Sequence, residues 1–176
     1  MDQPATFSMQ TGARSRSGAA VRRAVPWLAL AAIVIGIDQL TKSIVRARLD
    51  LYEVWPAGWE VIRFQHLQND GAAFGILPGA GTFLVVTAFI AIAALTVFLL
   101  TLPDHGRLYH LALSGILGGA IGNLIDRIRL GVVTDFIDPT HYPAFNVADS
   151  CIVCGVALLA YLAFRDGDES SAKAQS

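Results

Sequence analysis

Charge is scarce in this sequence. Asp, Glu, Lys and Arg make up 15% of the 176 residues, where soluble domains carry about 25%. Hydrophobic residues reach 54% and the mean hydropathy is +0.53, so the apolar runs are read against the thickness of a bilayer rather than a soluble core. A basic excess is missing too. The net charge is −1, and no face is basic enough to attract a nucleic acid, so no such partner is expected. Cysteine is confined to Cys151 and Cys154. Three apart in an apolar run with no histidine beside them, they read as small apolar side chains of a helix rather than a redox or metal pair. No Ser/His/Asp or Cys/His set is present either. His66 and His141 have no nucleophile motif near them, and His105 and His110 fall at the other end of the spans.

What is present is four apolar runs, at about 25–45, 83–102, 108–125 and 147–164. Each approaches the roughly 20 residues that a helix needs to cross a bilayer. The first follows an arginine-rich stretch, as in a signal peptide. It is too long for that, carries Asp38 and Lys42, and lacks a small-residue cleavage site, so it is read as retained. The second holds no charged residue, and Pro103, Asp104 and Gly106 close it in a short turn. Short turns force antiparallel neighbours. The expected fold is an all-α membrane protein, a four-helix up-down bundle with a small extracytoplasmic β/loop subdomain. Residues 24–165 would form this single domain, with 1–23 and 166–176 as disordered cytoplasmic tails.

Arg14, Arg16, Arg22, Arg23, Arg107, Arg165 and Lys173 mark one side of the spans, and Lys42, Arg46, Arg48, Arg63, Arg127 and Arg129 the other. Seven against six is a slight bias. The cluster before the first span decides it, placing both termini in the cytoplasm. Segments 46–81 and 127–146 then face outward. Trp55 and Trp59 sit in the first, as headgroup-level aromatics do, and the alternation from Glu60 to Leu67 predicts a short strand.

Ionisable groups in or beside spans are costly and mark function by default. Asp38 and Lys42, at i and i+4, share a face and can pair structurally. Gly115, Gly118, Gly119 and Gly122 allow close helix approach in the third run. Asn123 and Asp126 share a face at its outer mouth, next to Arg127, where they could also simply cap the helix. Asn146 and Asp149 repeat the i, i+3 pattern at the start of the fourth run, as an N-cap and a favourable first-turn charge would. Capping does not explain why Asp126, Asp135 and Asp149 gather at one depth. Two adjacent carboxyls in a partly dry site share a proton, as an aspartic peptidase requires.

Five stretches carry a resemblance: Asp38-Gln39-Leu40-Thr41-Lys42, Asn69-Asp70-Gly71-Ala72-Ala73-Phe74-Gly75, residues 118–127, Val133-Thr134-Asp135-Phe136, and Phe145-Asn146-Val147-Ala148-Asp149-Ser150. In order and spacing, from about residue 26 to 164, they resemble the lipoprotein signal peptidases, or signal peptidase II. The resemblance implies an aspartic endopeptidase of the bacterial inner membrane that acts on diacylglyceryl-modified prolipoproteins. It cuts just before the lipid-modified cysteine. Asp135 and Asp149 match the catalytic pair. Asn69, Gly71, Asn123, Arg127, Asn146 and Ala148 match positions around the site, and Asp38, Lys42 and Asp126 match supporting ones. No metal or cofactor is implied; prolipoprotein substrates and membrane lipids are the expected partners of a monomer. The link from Asp135 to Asn146 is shorter than the resemblance leads one to expect, and the N-terminal tail longer.

Two other classes use intramembrane acids. A proton or ion translocator would need polar groups through the full membrane depth, and the second run has no ionisable residue. A metal-dependent lipid enzyme would need a phosphate-holding motif beside acids around Mg²⁺, and none is found.

Overall fold

The computed structural model describes residues 8–71, 80–101 and 106–174, with side chains over 22–71, 81–101 and 106–167. Four helices, α1 (Ser8–Arg48), α2 (Ala80–Thr101), α3 (Arg107–Leu130) and α4 (Val147–Ala174), combine with three strands, β1 (Val54–Trp55), β2 (Ile62–Asn69) and β3 (Val133–Pro139). Within the helices, Arg22–Arg48, Gly81–Thr101, Arg107–Leu130 and Val147–Gly167 are long and apolar enough to cross a membrane. These match the four runs read from sequence, extended by a few residues. α1 begins at Ser8 and α4 reaches Ala174, so both helices continue into the segments expected to be disordered. The physical reason is propagation: Ala, Met and Arg on one side, and Ala, Glu and Lys on the other, extend an already nucleated helix at little cost. Residues 72–75 of the Asn69 motif and the turn residues Pro103, Asp104 and His105 lie outside the described residues.

α3 is the hub, and the other three helices pack on it. Over half of its span, 56%, is buried, against 6% to 17% for the others. Those three turn Ile33, Ile37, Leu40, Phe83, Phe89, Ile90, Val153 and Val156 outward. Such a surface is intolerable in water and is what lipid tails solvate. Lipid provides no hydrophobic force between helices, so they associate by close contact at small residues. A Cβ on Gly118 would stand 2.7 Å from the Ala31 carbonyl oxygen of α1, and one on Gly155 2.8 Å from that of Ala112. Gly119 faces the Ala148 carbonyl of α4 even more closely. The glycines are therefore the packing surfaces of the hub.

Outside the bundle, the strands form one antiparallel sheet in the order β1-β2-β3. The strand expected at 60–67 is observed at 62–69. Val133-Thr134-Asp135-Phe136-Ile137, rich in β-branched and aromatic residues, is its partner, with Leu67 opposite Asp135 and Arg63 opposite Asp138. An ion pair of 2.5 Å joins the last two. After Pro139 the chain folds back and Phe145 bridges to Ile137, which delivers it directly into α4.

Because the Gly119 contact is backbone to backbone, the neighbour cannot step aside. Gly119→Ala is expected to separate α3 from α4 and cost about 1–3 kcal/mol, in the range of an overpacked core. Thermal unfolding in detergent checks this. An unchanged midpoint would mean that the two helices are not held at this distance.

Candidate active site

The polar core begins with a cation that has no access to solvent. Lys42 and Asp38, one turn apart on α1, are both 0% exposed, with Lys42 Nζ 2.9 Å from Asp38 Oδ2. Lys42 also lies 3.3 Å from Asp126 Oδ2 and donates to Asn123 Oδ1 at 2.8 Å, both on α3. Asp38 turns its other oxygen to the Ala148 N–H of α4 at 3.0 Å. Asp126 accepts from Gln39 Nε2 and from the Thr134 N–H of β3, each at 3.1 Å. One buried ionic cluster thus joins α1, α3, α4 and the catalytic strand candidate. It also orients Asn123: with Oδ1 taken by the ammonium, Nδ2 must point the other way, and it donates to Asp149 Oδ1 at 2.7 Å.

Asn146 does the same for the second acid. At the start of α4 its Oδ1 accepts from the Asp149 N–H at 3.0 Å, while Asp149 Oδ2 accepts from the Asn146 N–H at 3.2 Å. This is a reciprocal capping box with Asp at the third helical position. The freed Nδ2 of Asn146 donates to Asp135 Oδ1 at 2.7 Å. From the far side, Asn69 Nδ2 reaches Asp135 Oδ2 at 2.9 Å. Asn69 is oriented in turn by the Gly71 N–H on its Oδ1 at 2.8 Å. Gly71 has φ of 83°, and a Cβ there would collide with Leu84. Only glycine meets both conditions.

Three acids therefore gather as the sequence suggested, but they are held differently. Asp126 is tied to a cation. Among the described residues Asp135 and Asp149 receive only amide N–H groups, and one residue, Asn146, touches both. Asp135 is 3% exposed and Asp149 half-buried. Burial lifts the Asp135 carboxyl to about 6, the charge of Asp149 adds to the rise, and the Asn69 and Asn146 bonds oppose it. Arg127 stands half-buried in the field of Asp149, Asp135 and Asp126. Among the described residues no three His, Cys, Asp or Glu side chains are grouped as a metal would need.

The structure brings Asp38, Lys42, Asn69, Gly71, Asn123, Asp126, Asn146, Ala148 and both candidate acids into one network. Ala148 enters through its backbone N–H alone. Sequence reading passed over Gln39, Thr134 and Arg46. Gln39 also reaches the Gly122 carbonyl at 3.1 Å, and Arg46 donates to Thr134 Oγ1 at 2.9 Å and lies 3.8 Å from Asp126. The i, i+4, i+8 stripe of Asp38, Lys42 and Arg46 was a usable signal for the last. Gln39 offered none, since its face is set by the tilt of α1 against α3.

Removing one partner of a buried ion cluster leaves the others uncompensated. Lys42→Met is expected to destabilise the protein by about 3–5 kcal/mol and to release Asn123 from its orientation. Thermal unfolding in detergent measures the first effect. A variant as stable as the parent would mean that the Lys42 contacts with Asp38, Asp126 and Asn123 do not hold the four elements together.

The comparisons with known proteins agree on one group. Residues 30–165 match the family described as signal peptidase (SPase) II. A lipoprotein signal peptidase of Syntrophotalea carbinolica is 42% identical over 147 residues, covering 80% of this chain and 91% of that one. One from Geobacter metallireducens is 43% identical over 142 residues, covering 77% and 88%. A bacterial membrane enzyme solved by the in meso method superposes with a TM-score of 0.76 at 31% identity, covering 82% of this chain and 90% of its own. A second, also a bacterial membrane enzyme, gives 0.74 at 32%. With the family match extending over most of the chain, and with four helices able to span a membrane, this multi-pass membrane protein belongs to the signal peptidase II family.

Proposed function

We propose that the chain is an aspartic endopeptidase that removes the signal peptide from diacylglyceryl-modified prolipoproteins, cutting before the lipid-modified cysteine. The relatives named lipoprotein signal peptidase support the substrate class. The observation that carries the chemistry is the pair of amide-held acids joined through Asn146. A carboxylate clamped by Lys or Arg stays ionised. Carboxyls held by neutral amides can exchange a shared proton.

Asp135 keeps the proton, because it is the more buried acid and its affinity for the proton is raised. It donates to the scissile carbonyl oxygen. Asp149, nearer to solvent, takes a proton from the attacking water, whose oxygen bonds to the carbonyl carbon. Collapse of the tetrahedral intermediate breaks the C–N bond. Asp149 then passes its proton to the leaving amine, and Asp135 regains one from the intermediate's hydroxyl. Arg127 supplies positive charge beside the developing oxyanion.

Residues 24–165 are taken as the peptidase domain, working as a monomer. The arginine cluster before α1 supports cytoplasmic termini in the bacterial inner membrane. That orientation sets the acids at the outer face, beside the lipid of the substrate. No metal or cofactor enters these steps.

The test incubates purified protein with a diacylglyceryl-modified prolipoprotein and follows release of the signal peptide. Asp135→Asn and Asp149→Asn are each expected to slow cleavage by roughly 10²–10⁴-fold while remaining folded and membrane-inserted. Asp126→Asn should lose activity through lost stability. Full activity in either of the first two variants would sink the pair, and a stable but inactive Asp126→Asn would redraw it as Asp126 and Asp149.

The pH dependence has a definite sign. Asp135 must be protonated, and burial raises its carboxyl to about 6, so kcat/KM is expected to fall as pH rises through that region. The acid limb appears when Asp149 is protonated as well, giving a bell-shaped profile. In kcat the alkaline limb should move upward, because bound lipid and peptide exclude water and favour the neutral acid. A rate that is flat across the alkaline limb in kcat/KM would show that no shared proton controls cleavage.

A further inference from the structure

Arg46, one helical turn beyond Lys42 on α1, makes a contact that neither the buried ion cluster nor the cleavage steps account for. Its shortest bond runs from Nη1 to a neutral group, the Thr134 hydroxyl, at 2.9 Å. The nearest carboxylate, Asp126, is 3.8 Å away and already takes Lys42, Gln39 and the Thr134 N–H at 3.1–3.3 Å. Nη2 donates to Ser43 Oγ at 3.3 Å, within the same helix, and steadies the guanidinium. Holding an arginine in one place costs much rotamer freedom. A charge-assisted bond to a hydroxyl is short and directional enough to do so.

What Arg46 holds is the residue before Asp135. Thr134 is 1% exposed, and three helices share its polar groups. Asp126 of α3 takes the N–H, Asn146 of α4 donates to the carbonyl at 3.4 Å, and Arg46 of α1 donates to the hydroxyl. Successive side chains of a strand leave on opposite faces. With Thr134 turned to α1, Asp135 is turned to Asn69 and Asn146. The neighbouring strand is fixed to α1 separately: His66 of β2 donates from Nδ1 to the Leu49 carbonyl at 3.0 Å, just past the helix end. β2 carries Asn69 and β3 carries Asp135, so the outer end of α1 anchors the strand of each.

We propose that Arg46 is a positioning residue for cleavage: through Thr134 Oγ1 it fixes the rotation of β3, and with it the direction of the Asp135 carboxyl. Without that bond β2 would keep its own anchor while β3 lost one. Asp135 would then turn against donors that stay where they are. This role rests on the peptidase reading, and adds to it a side chain that bonds to neither acid. Asp126 keeps Lys42, and the Arg46 side chain is 25% exposed, so its removal leaves no buried charge unpaired.

Prolipoprotein cleavage by the full-length protein in detergent, measured as kcat and KM well below the unfolding temperature, tests it. Arg46→Met should lower kcat by roughly 10–100-fold, as a small misplacement of a reacting group does, with KM within about twofold. Thr134→Val removes the same bond from its other end and should lower kcat by a similar factor. The double variant should be no slower than the slower single one. Arg48→Met, which also takes a charge from the last turn of α1, should leave kcat within about twofold. An unchanged kcat in Arg46→Met, or a change confined to KM, would make Arg46 merely structural and overturn the role. Losses that multiply in the double variant would show that Arg46 does not act through Thr134. An equal loss in Arg48→Met would trace the effect to positive charge rather than to the bond. Each of these overturns the role and leaves the peptidase reading standing, whereas a parent that does not cleave overturns both.

Discussion

A lysine with no exposed surface is the constraint around which the rest of the polar core is arranged. Moving an ammonium out of water costs several kcal/mol even after relaxation, and it survives as a charge only where carboxylates and further acceptors surround it. Lys42 meets that demand with Asp38, Asp126 and the Asn123 carbonyl oxygen. Each partner then carries an obligation of its own. Asp38 must accept from the first turn of α4, and Asp126 from the backbone of β3. Four elements, α1, α3, α4 and β3, are thereby held in one register. Asn123 cannot flip, and so its amide is always presented to Asp149.

This division sorts the four acids of the site, Asp38, Asp126, Asp135 and Asp149, by what holds them. A carboxylate packed against a buried cation is committed to that pairing, since separating the two would leave an uncompensated charge. Asp38 and Asp126 are struts. Asp135 and Asp149 lie one hydrogen bond further out, beyond a layer of asparagines. The amides orient them without a cation, and at Asp135 burial works against ionisation, raising its carboxyl to about 6. Asparagine is suited to that layer: it donates on one side and accepts on the other, and a firm partner on one side removes the freedom to flip. Asn69 has Gly71, Asn123 has Lys42, and Asn146 has the Asp149 N–H.

The spans were legible in the sequence because bilayer thickness imposes a length and composition that few other constraints imitate. The acids were legible for a related reason, since charge near a span is expensive. Which acids pair with what was not legible from spacing. Asp126 and Asp149 each sit three residues after an asparagine, and nothing local shows that one faces a lysine while the other faces Asn123. That depends on the rotation of α1 against α3, fixed by Gly118 against Ala31 and by Gly122 against Asp38. Gln39 was invisible for the same reason. β3 was missed for another. Its run of Val133 to Ile137 has strand character, but attention to Asp135 as an acid hid its role in a strand, and its partner β2 lies 64 or more residues earlier.

The link between Asp135 and Asn146 shows how local geometry completes the site. The two residues are eleven positions apart in sequence, yet their side chains share a 2.7 Å hydrogen bond. After Pro139 the chain turns, with the Tyr142 N–H on the Pro139 carbonyl at 3.1 Å, and comes back along itself. Phe145 and Ile137 exchange N–H···O bonds of 2.9 and 2.8 Å, and the Phe136 N–H also reaches Phe145 at 3.1 Å. The strand thus pairs with its own continuation, and the next residue, Asn146, falls beside Asp135 and begins α4. A longer loop would have to recover this closeness against a larger closure entropy. The link is therefore a working part of the site's geometry. By making the last residue of the loop the neighbour of the first acid and the cap of the helix that bears the second, it lets backbone pairing set the spacing of the two carboxyls.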